Sequence, residues 1–274
     1  MTDARPRRSA LYLPAANARA IAKARTLMAD VIILDLEDAV APEAKEDARR
    51  MAVAVMDEGF GARERVVRVN ALDTEWGATD LMAVATSAAE VVLAPKVRSG
   101  ADVARYATLI GPHQRLWVMI ETCAAIGRLG EIAEQADGVV LGTNDLALEL
   151  GAREPGPETM LPYKALTLAA ARAGGCVAVD GVHNDFTDTA GLIAAAREAA
   201  RMGFDGKSLI HPSQVDPCNV AFLPSDAEIA RARAIVAAFA APEAVGKGAI
   251  RLEGRMVERL HLTQAERLLA MAER

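Results

Sequence analysis

The stretch RLWVMIETCAAIGRLGEIAEQADGVVLGTND (115–145) decides the fold of this chain. Two short apolar runs, at 117–120 and 138–141, flank a segment whose charged residues recur at helical spacing. The runs are apolar almost throughout, as expected for parallel strands that are covered on both faces. The stretch therefore predicts strands at 115–121 and 138–142 with a helix between them. An acidic residue lies at or just after the end of each strand: Glu121 ends the first, and Asp145 follows the second.

The same alternation recurs along the chain and predicts its architecture. The further predicted strands are 9–14, 31–36, 65–70, 91–96, 177–180 and 206–210, with helices at 16–29, 43–57, 77–88, 100–110, 124–135, 158–173 and 187–202. Eight strands with intervening helices predict a (β/α)8 TIM barrel. The rival, a doubly wound open sheet, is disfavoured because no GxGxxG follows the first strand. We predict a catalytic barrel over 1–225 and a small C-terminal helical lid over 226–274.

Composition excludes several classes of function. Only 4% of the 274 residues are aromatic and the net charge is −6, so the chain lacks the basic, stacking surface of a nucleic-acid-binding protein. No apolar run approaches the ~18 residues of a membrane span. The three cysteines form no CxxC pair, which favours a reduced setting. We expect a cytoplasmic enzyme with neither a nucleic-acid nor a membrane partner.

Polar residues cluster where the predicted strands end, which is where βα barrels carry their chemistry. We expect the following to converge on one mouth: Asp35, Glu37, Asp38, Arg68, Asn70, Lys96, Glu121, Asp145, Asp180, His183, Lys207 and His211. No GxSxG or Walker A motif is present. A Schiff-base lysine, Lys96 or Lys207, is a weaker possibility.

Glu121 and Asp145 follow neighbouring strands, and two carboxylates with few His or Cys nearby suit Mg²⁺. The alternative is that Glu121 pairs with Lys96 or Arg68 and that Asp145 caps the next helix. Zinc is disfavoured because the chain has no HExxH motif.

Arg68 interrupts an apolar strand, so its guanidinium needs an acidic partner or an anionic ligand. A substrate carboxylate would fit this planar fork. The alternative partners are Asp35 and Glu37, which lie two residues apart on one side of their strand. These two acids either orient Arg68 or cap a helix.

Several motifs then appear in a fixed order: RRSALYLPA (7–15), DVIILDLEDAVAPEAK (30–45), MIETCAAIG (119–127), LGTNDLALELG (141–151), GFDGKSLIHPSQV (203–215) and EGRMVE (253–258). With them the chain resembles the citrate lyase β-subunit-like family, whose relatives include malyl-CoA, citramalyl-CoA and citryl-CoA lyases. These relatives are pyruvate/phosphoenolpyruvate-type TIM barrels.

The resemblance implies that Glu121 and Asp145 bind Mg²⁺ and that Arg68 binds the carboxylate of the keto-acid part of the substrate. We predict Arg68, Glu121 and Glu37 as the substrate-binding residues. It also implies a homotrimer in which the C-terminal lid closes over a neighbouring subunit. In that lid the family uses an aspartate as acid/base, and this chain has Glu258 instead. A further departure is Asn144, where an acidic residue is frequent.

We therefore predict a Mg²⁺-dependent carbon–carbon lyase acting on a 3-hydroxyacyl-CoA such as citryl-, citramalyl- or malyl-CoA. Its products would be acetyl-CoA and a 2-keto acid, and Arg68 and Glu258 would be the catalytic residues. Three alternatives stay open: a class II aldolase on free hydroxy-keto acids, a malyl-CoA thioesterase, and a non-catalytic CoA-ligand-binding subunit.

Overall fold

The computed structural model describes residues 5–153, 156–244 and 246–272. The chain forms two compact units, of which the first ends at Asn219 and the second begins at Val220. The predicted boundary falls slightly later, at the start of a helix. Within the described ranges, no helix combines the length and apolar character needed to cross a membrane.

The first unit is a closed barrel of eight parallel strands that pair in sequence order, with the last strand pairing with the first. The predicted TIM barrel is confirmed. The strands are β1 (Ser9–Pro14), β2 (Val31–Asp35), β3 (Glu64–Arg68), β4 (Val91–Ala94), β5 (Arg115–Ile120), β6 (Gly138–Leu141), β7 (Val177–Asp180) and β8 (Gly206–Leu209). Each predicted strand is present, and several end one or two residues earlier than predicted.

Helices cover the outside of the barrel. They are α1 (Ala18–Ala24), α2 (Lys45–Glu58), α3 (Gly77–Val84), α4 (Gly100–Ala107), α5 (Cys123–Ile126), α6 (Leu129–Ala133), α7 (Thr143–Glu149), α8 (Pro157–Gly174), α9 (Thr189–Met202) and α10 (Val215–Ala221). The single helix predicted over 124–135 is wrong: it is two short helices. Gly127 closes the last turn of α5 by donating its N–H to the Cys123 carbonyl at 3.3 Å, and the break follows from the non-helical backbone of the next residue, Arg128.

Alternate strand residues fill the barrel interior with apolar side chains, because successive residues of a strand point to opposite faces. The cluster contains Ala10, Val31, Ile33, Val66, Val91, Leu93, Trp117, Met119, Val140, Val177 and Val179. At the amino ends of the strands, Arg7 Nη2 donates to Glu64 Oε1 at 2.9 Å, and the Arg7 guanidinium lies 5.7 Å from the Trp117 ring. The barrel is thus packed below and open for chemistry only at its carboxyl end.

The second unit contains α11 (Asp226–Ala240), a hairpin of β9 (Ala249–Leu252) and β10 (Arg255–Glu258), and α12 (Arg259–Ala272). Ser225 and Glu228 form the capping box of α11 that their spacing indicates. The hairpin was not predicted. It turns on Glu253 and Gly254, with φ of 48° and 79°, as a tight two-residue hairpin requires. The unit is therefore only partly helical.

Candidate active site

A cavity of about 360 Å³ opens at the carboxyl end of the barrel. Its walls combine residues from the strand ends and the loops after them with the first turn of α7. The lining residues are Tyr12, Pro14, Asp35, Asp38, Ala39, Arg68, Met119, Glu121, Leu141, Gly142, Thr143, Asn144, Asp145, Val182, Ser208 and Ile210. The predicted convergence of polar groups from β2, β3, β5 and β6 on one mouth is therefore present in the structure.

Arg68 is clamped by Asp35 on the neighbouring strand. Its Nε and Nη2 each donate to one Asp35 oxygen at 2.7 Å, which is the bidentate geometry typical of arginine and carboxylate. Burial works against the guanidinium charge, but Asp35 more than offsets it, and the pKa of Arg68 is raised. The Asp35 oxygens also accept the backbone N–H groups of Glu37 and Ala39. Asp35 thus orients Arg68 and the loop after β2 together.

Glu37 lies beside the outer nitrogen of the same guanidinium, with Oε2 3.0 Å from Arg68 Nη1. Asp38 approaches that nitrogen at 3.5 Å from a side chain that is 61% exposed. Burial raises the pKa of Glu37 to about 8, against the pull of Arg68. Nη1 is therefore the nitrogen of Arg68 that Asp35 leaves to other partners, and burial favours the protonated form of Glu37.

Glu121 and Asp145 are joined through Lys96. The ammonium of Lys96 contacts Asp145 Oδ2 directly and lies 3.7 Å from Glu121 Oε1, and its backbone N–H donates to the same Glu121 oxygen at 2.7 Å. Burial raises the pKa of Glu121 to about 7, although Lys96 opposes the shift. Burial also disfavours the Lys96 charge, yet Glu121 and Asp145 leave the pKa of Lys96 raised.

The junction between β6 and α7 places these two acids together. Asp145 lies in the first turn of α7, whose cap residue is Gly142, so Asp145 does not cap the helix. A Cβ at Gly142 would lie 2.5 Å from the Glu121 Cβ and 2.6 Å from Oε2. The glycine therefore leaves the space that Glu121 occupies.

The two acids have the features of a divalent-cation site. A positive group already sits between them, and Glu121 Oε2 is buried without a hydrogen-bond partner among the described residues. The described ranges contain no group of three or more His, Cys, Asp or Glu able to hold a metal. Two carboxylates alone suit Mg²⁺, which keeps several waters and takes further oxygens from a substrate.

Three residues predicted at the mouth lie elsewhere. Asp180 Oδ2 accepts hydrogen bonds from Lys207 Nζ at 2.8 Å and from Lys164 Nζ of α8 at 3.3 Å, so the pair turns toward the helices, and Lys207 does not line the cavity. Strand alternation explains this, since their inward neighbours are Val179 and Ser208. Asn70 donates to Asp80 at 2.6 Å and supports the β2 loop from below.

The two histidines at the rim make structural contacts. His183 lies 3.6 Å from Asp188 at the start of α9. His211 caps the 3₁₀ turn Pro212–Gln214 and stacks on Phe186, with 4.8 Å between ring centroids. Neither side chain lines the cavity.

Two residues of the site carry no sequence signal. Tyr12 packs its ring 5.0 Å from the Arg68 guanidinium, and its hydroxyl donates to Met119 Sδ at 3.4 Å. Lys45, on α2, donates to the carbonyl oxygens of Leu36 and Glu37 at 2.7 and 2.6 Å. Tyr12 contacts Met119 across a long sequence separation, whereas Lys45 bonds the loop eight and nine residues before it, and no sequence pattern singled out either residue.

Glu258 belongs to the second unit, at the end of β10. Its backbone N–H donates to His261 Nδ1 at 2.9 Å, at the junction with α12. Glu258 as a whole is half-buried. Its role as an acid/base stays a prediction.

Comparison with known proteins places this site in a family of enzymes. The HpcH/HpaI aldolase/citrate lyase family model matches residues 8–212. A (3S)-malyl-CoA thioesterase of Cereibacter sphaeroides is 47% identical over 99% of this chain and 96% of that protein. The citrate lyase subunit beta of Escherichia coli is 36% identical over 98% of this chain and 94% of that protein.

A solved structure is similar over the whole chain. The CitE protein of Mycobacterium tuberculosis, in complex with magnesium, acetoacetate and coenzyme A, superimposes with a TM-score of 0.85 at 35% identity, covering 100% of both chains. The family match, these relatives and the barrel agree with the resemblance found in the motifs. The chain belongs to the HpcH/HpaI aldolase/citrate lyase family.

Proposed function

We propose that this protein is a Mg²⁺-dependent thioesterase that hydrolyses a malyl-CoA-type substrate, a CoA thioester with a hydroxyl group beside a terminal carboxylate. The observation that carries the proposal is the cavity in which a two-carboxylate cation site lies beside a clamped arginine. A substrate with one carboxylate, one hydroxyl and one thioester offers an anionic group to the arginine and oxygen atoms to the bound cation. The relative with 47% identity carries this activity in its name.

Glu121 and Asp145 would hold Mg²⁺, and Glu121 would use Oε2, which has no hydrogen-bond partner among the described residues. When bound, Mg²⁺ supplies Lewis acidity toward the oxygens of a bound hydroxy acid. Arg68 would bind the substrate carboxylate through Nη1, because Asp35 occupies its other two nitrogens. Asp38 is mostly exposed and can leave that nitrogen when a substrate arrives.

Glu37 is the proton carrier that the barrel itself provides. Burial raises its pKa to about 8, so it exchanges a proton readily near neutral pH. In hydrolysis, water adds to the thioester carbonyl, the carbon–sulfur bond breaks, and CoA leaves as a thiol that takes up one proton. Glu37 would move that proton, with Lys45 holding its backbone in place.

Product analysis tests the proposal. We expect (3S)-malyl-CoA and Mg²⁺ to yield free CoA thiol and malate in equal amounts, and a chelator to stop the reaction. Glu121→Gln should lower the rate by about a hundredfold or more, since it removes one of two cation ligands. The exposed Glu134 serves as control, and Glu134→Gln should keep the wild-type rate. Thiol release that persists in the chelator would contradict the proposal.

Carbon–carbon cleavage is the second candidate, because the citrate lyase subunit of Escherichia coli is also similar over nearly the whole chain. Breaking the bond beside the hydroxyl would give acetyl-CoA and glyoxylate without releasing a thiol. Glu258 would then exchange a proton with the acetyl-CoA carbon. Glyoxylate formed in place of malate in the same assay would establish this reaction and reject the thioesterase.

A further inference from the structure

Lys96 has an unusual conformation at the centre of the candidate site. Its φ is +54°, in the left-handed region that residues other than glycine seldom adopt. That conformation directs the Lys96 backbone N–H to Glu121 Oε1 at 2.7 Å and brings its ammonium onto Asp145 Oδ2. One residue therefore contacts both candidate metal ligands, through different atoms.

The backbone contact to Glu121 and the ammonium contact to Asp145 differ in how easily they can be broken. The backbone hydrogen bond holds Glu121, which is 1% exposed, and leaves its second oxygen free to bind a cation. The ammonium is at the end of a flexible side chain that is 30% exposed, and its partner Asp145 is 36% exposed. The ammonium can therefore leave along the open side of the cavity while the backbone contact stays.

A divalent cation held by both acids would occupy the space between them that the ammonium now contacts. Without a cation, two carboxylates this close repel each other, and the ammonium offsets that repulsion. With a cation between them, the ammonium would be repelled instead. The ammonium and the divalent ion therefore compete for the same two carboxylates.

We propose that Lys96 is a displaceable counter-ion: its ammonium stabilises the metal-free site and is expelled from between Glu121 and Asp145 when a divalent cation binds. This inference rests on the metal site of the proposed function and concerns the metal alone, with no dependence on the substrate. By linkage, any stability that Lys96 lends to the metal-free protein is subtracted from the binding of the cation.

Isothermal titration with Mg²⁺ alone tests the inference, at about pH 8.5, which lies above the pKa of about 7 that Glu121 has in the wild type. We expect Lys96→Met to bind Mg²⁺ about tenfold more tightly than the wild type, because the competitor is gone. The same variant should melt at a lower temperature in a chelator and regain the difference in saturating Mg²⁺. Met tolerates positive φ no worse than Lys, so the variant should fold.

Two further variants separate competition from charge alone. Arg98→Gln removes an exposed positive charge from the same loop and should leave Mg²⁺ affinity near wild type. Lys96→Arg keeps a cation at the site and should also stay within about threefold of wild type. Unchanged or weaker Mg²⁺ binding by Lys96→Met would overturn the inference. So would an Arg98→Gln variant that binds Mg²⁺ as tightly as Lys96→Met does. Absence of Mg²⁺ binding from both the wild type and Lys96→Met would overturn it as well.

The proposed function and this inference fail separately. If the protein leaves malyl-CoA intact but Lys96→Met binds Mg²⁺ more tightly than the wild type, the proposed function is wrong and the counter-ion inference stands. A protein that hydrolyses malyl-CoA with Mg²⁺, but whose Lys96→Met variant binds Mg²⁺ no more tightly, keeps the function and loses the counter-ion.

Discussion

Glu37 illustrates how the burial of one carboxyl group lowers the stability of the folded protein at neutral pH. It is buried beside Arg68, and its pKa is raised from 4.5 to about 8. A carboxyl group whose pKa is higher in the folded state binds more protons there than in the unfolded chain. Stability therefore falls as pH rises between these two values, and stays lower above them.

This argument predicts the behaviour of Glu37→Gln. In a chelator, the variant should match the wild type below about pH 4.5 and become the more stable protein as pH rises toward about 8, by on the order of 3 kcal/mol. Denaturant unfolding at a series of pH values measures the difference. Glu134→Gln, at an exposed position, should show no such divergence. A difference between Glu37→Gln and wild type that is constant with pH would contradict the assigned burial cost.

At the same scale, sequence reasoning found the charged residues but left their partners open. It named Asp35 and Glu37 as possible partners of Arg68, and both contact it. It treated Lys96 as an alternative partner of Glu121, and the structure joins it to Asp145 as well. It missed Tyr12 and Lys45, because an aromatic residue in a strand and a lysine in a helix look like ordinary packing and surface residues.

At the scale of elements, the junction of β6 with α7 determines whether the two acids meet. Gly142 permits Glu121 to occupy its position, since a Cβ there would approach Glu121 Oε2 to 2.6 Å. The barrel strands on either side are complete without that contact. A substitution at this glycine should therefore affect the site more than the fold.

We predict that Gly142→Ala weakens Mg²⁺ binding by about tenfold or more, because Glu121 must move by an ångström or so. Gly130→Ala is the matched control: Gly130 lies in α6 with nothing within 4 Å of an added Cβ. The control should bind Mg²⁺ like the wild type and be equally or more stable. Isothermal titration calorimetry measures the Mg²⁺ affinity of both variants. Equal affinities would contradict the prediction, because they would show that the added Cβ at position 142 is accommodated without moving Glu121.

The exact ends of the strands and the C-terminal hairpin could not be predicted from hydrophobic patterns. The apolar runs identified the strands. Two of the predicted strands extend one or two residues too far at their carboxyl ends, where they include the polar site residues Lys96 and Glu121. The hairpin β9–β10 was not predicted because its turn depends on positive φ at Glu253 and Gly254. Its strands are also half exposed, so they form no apolar run. Outward-facing Asp180 and Lys207 were assigned to the mouth because strand alternation was not applied at the ends of β7 and β8.

At the scale of the whole molecule, the barrel follows from the repeated strand–helix pattern, whereas the role of the second unit rests on the family resemblance. That unit has its own small core around Ile235 and Val257. It carries Glu258 at the position where the family resemblance implies an aspartate. The side chain is one methylene longer, and such a displacement can change a proton-transfer rate strongly.

Glu258→Asp tests the contribution of this unit to the choice of reaction. We predict that the variant raises the yield of acetyl-CoA and glyoxylate from malyl-CoA by about tenfold or more relative to the wild type, because it restores the family's acid/base geometry. Glu253→Asp, an equal shortening at the exposed hairpin turn, is the control and should change nothing. A Glu258→Asp variant with the wild-type ratio of malate to glyoxylate would remove Glu258 from the reaction.

The packed barrel interior also has a kinetic consequence. Apolar side chains fill the channel beneath the cavity, and the Arg7–Glu64 ion pair lies at its far end. Every molecule that enters must therefore leave by the same opening. A small acid made at the bottom would wait behind the bulky thiol or thioester that shares the passage, so products would depart in a compulsory sequence, with the larger one first.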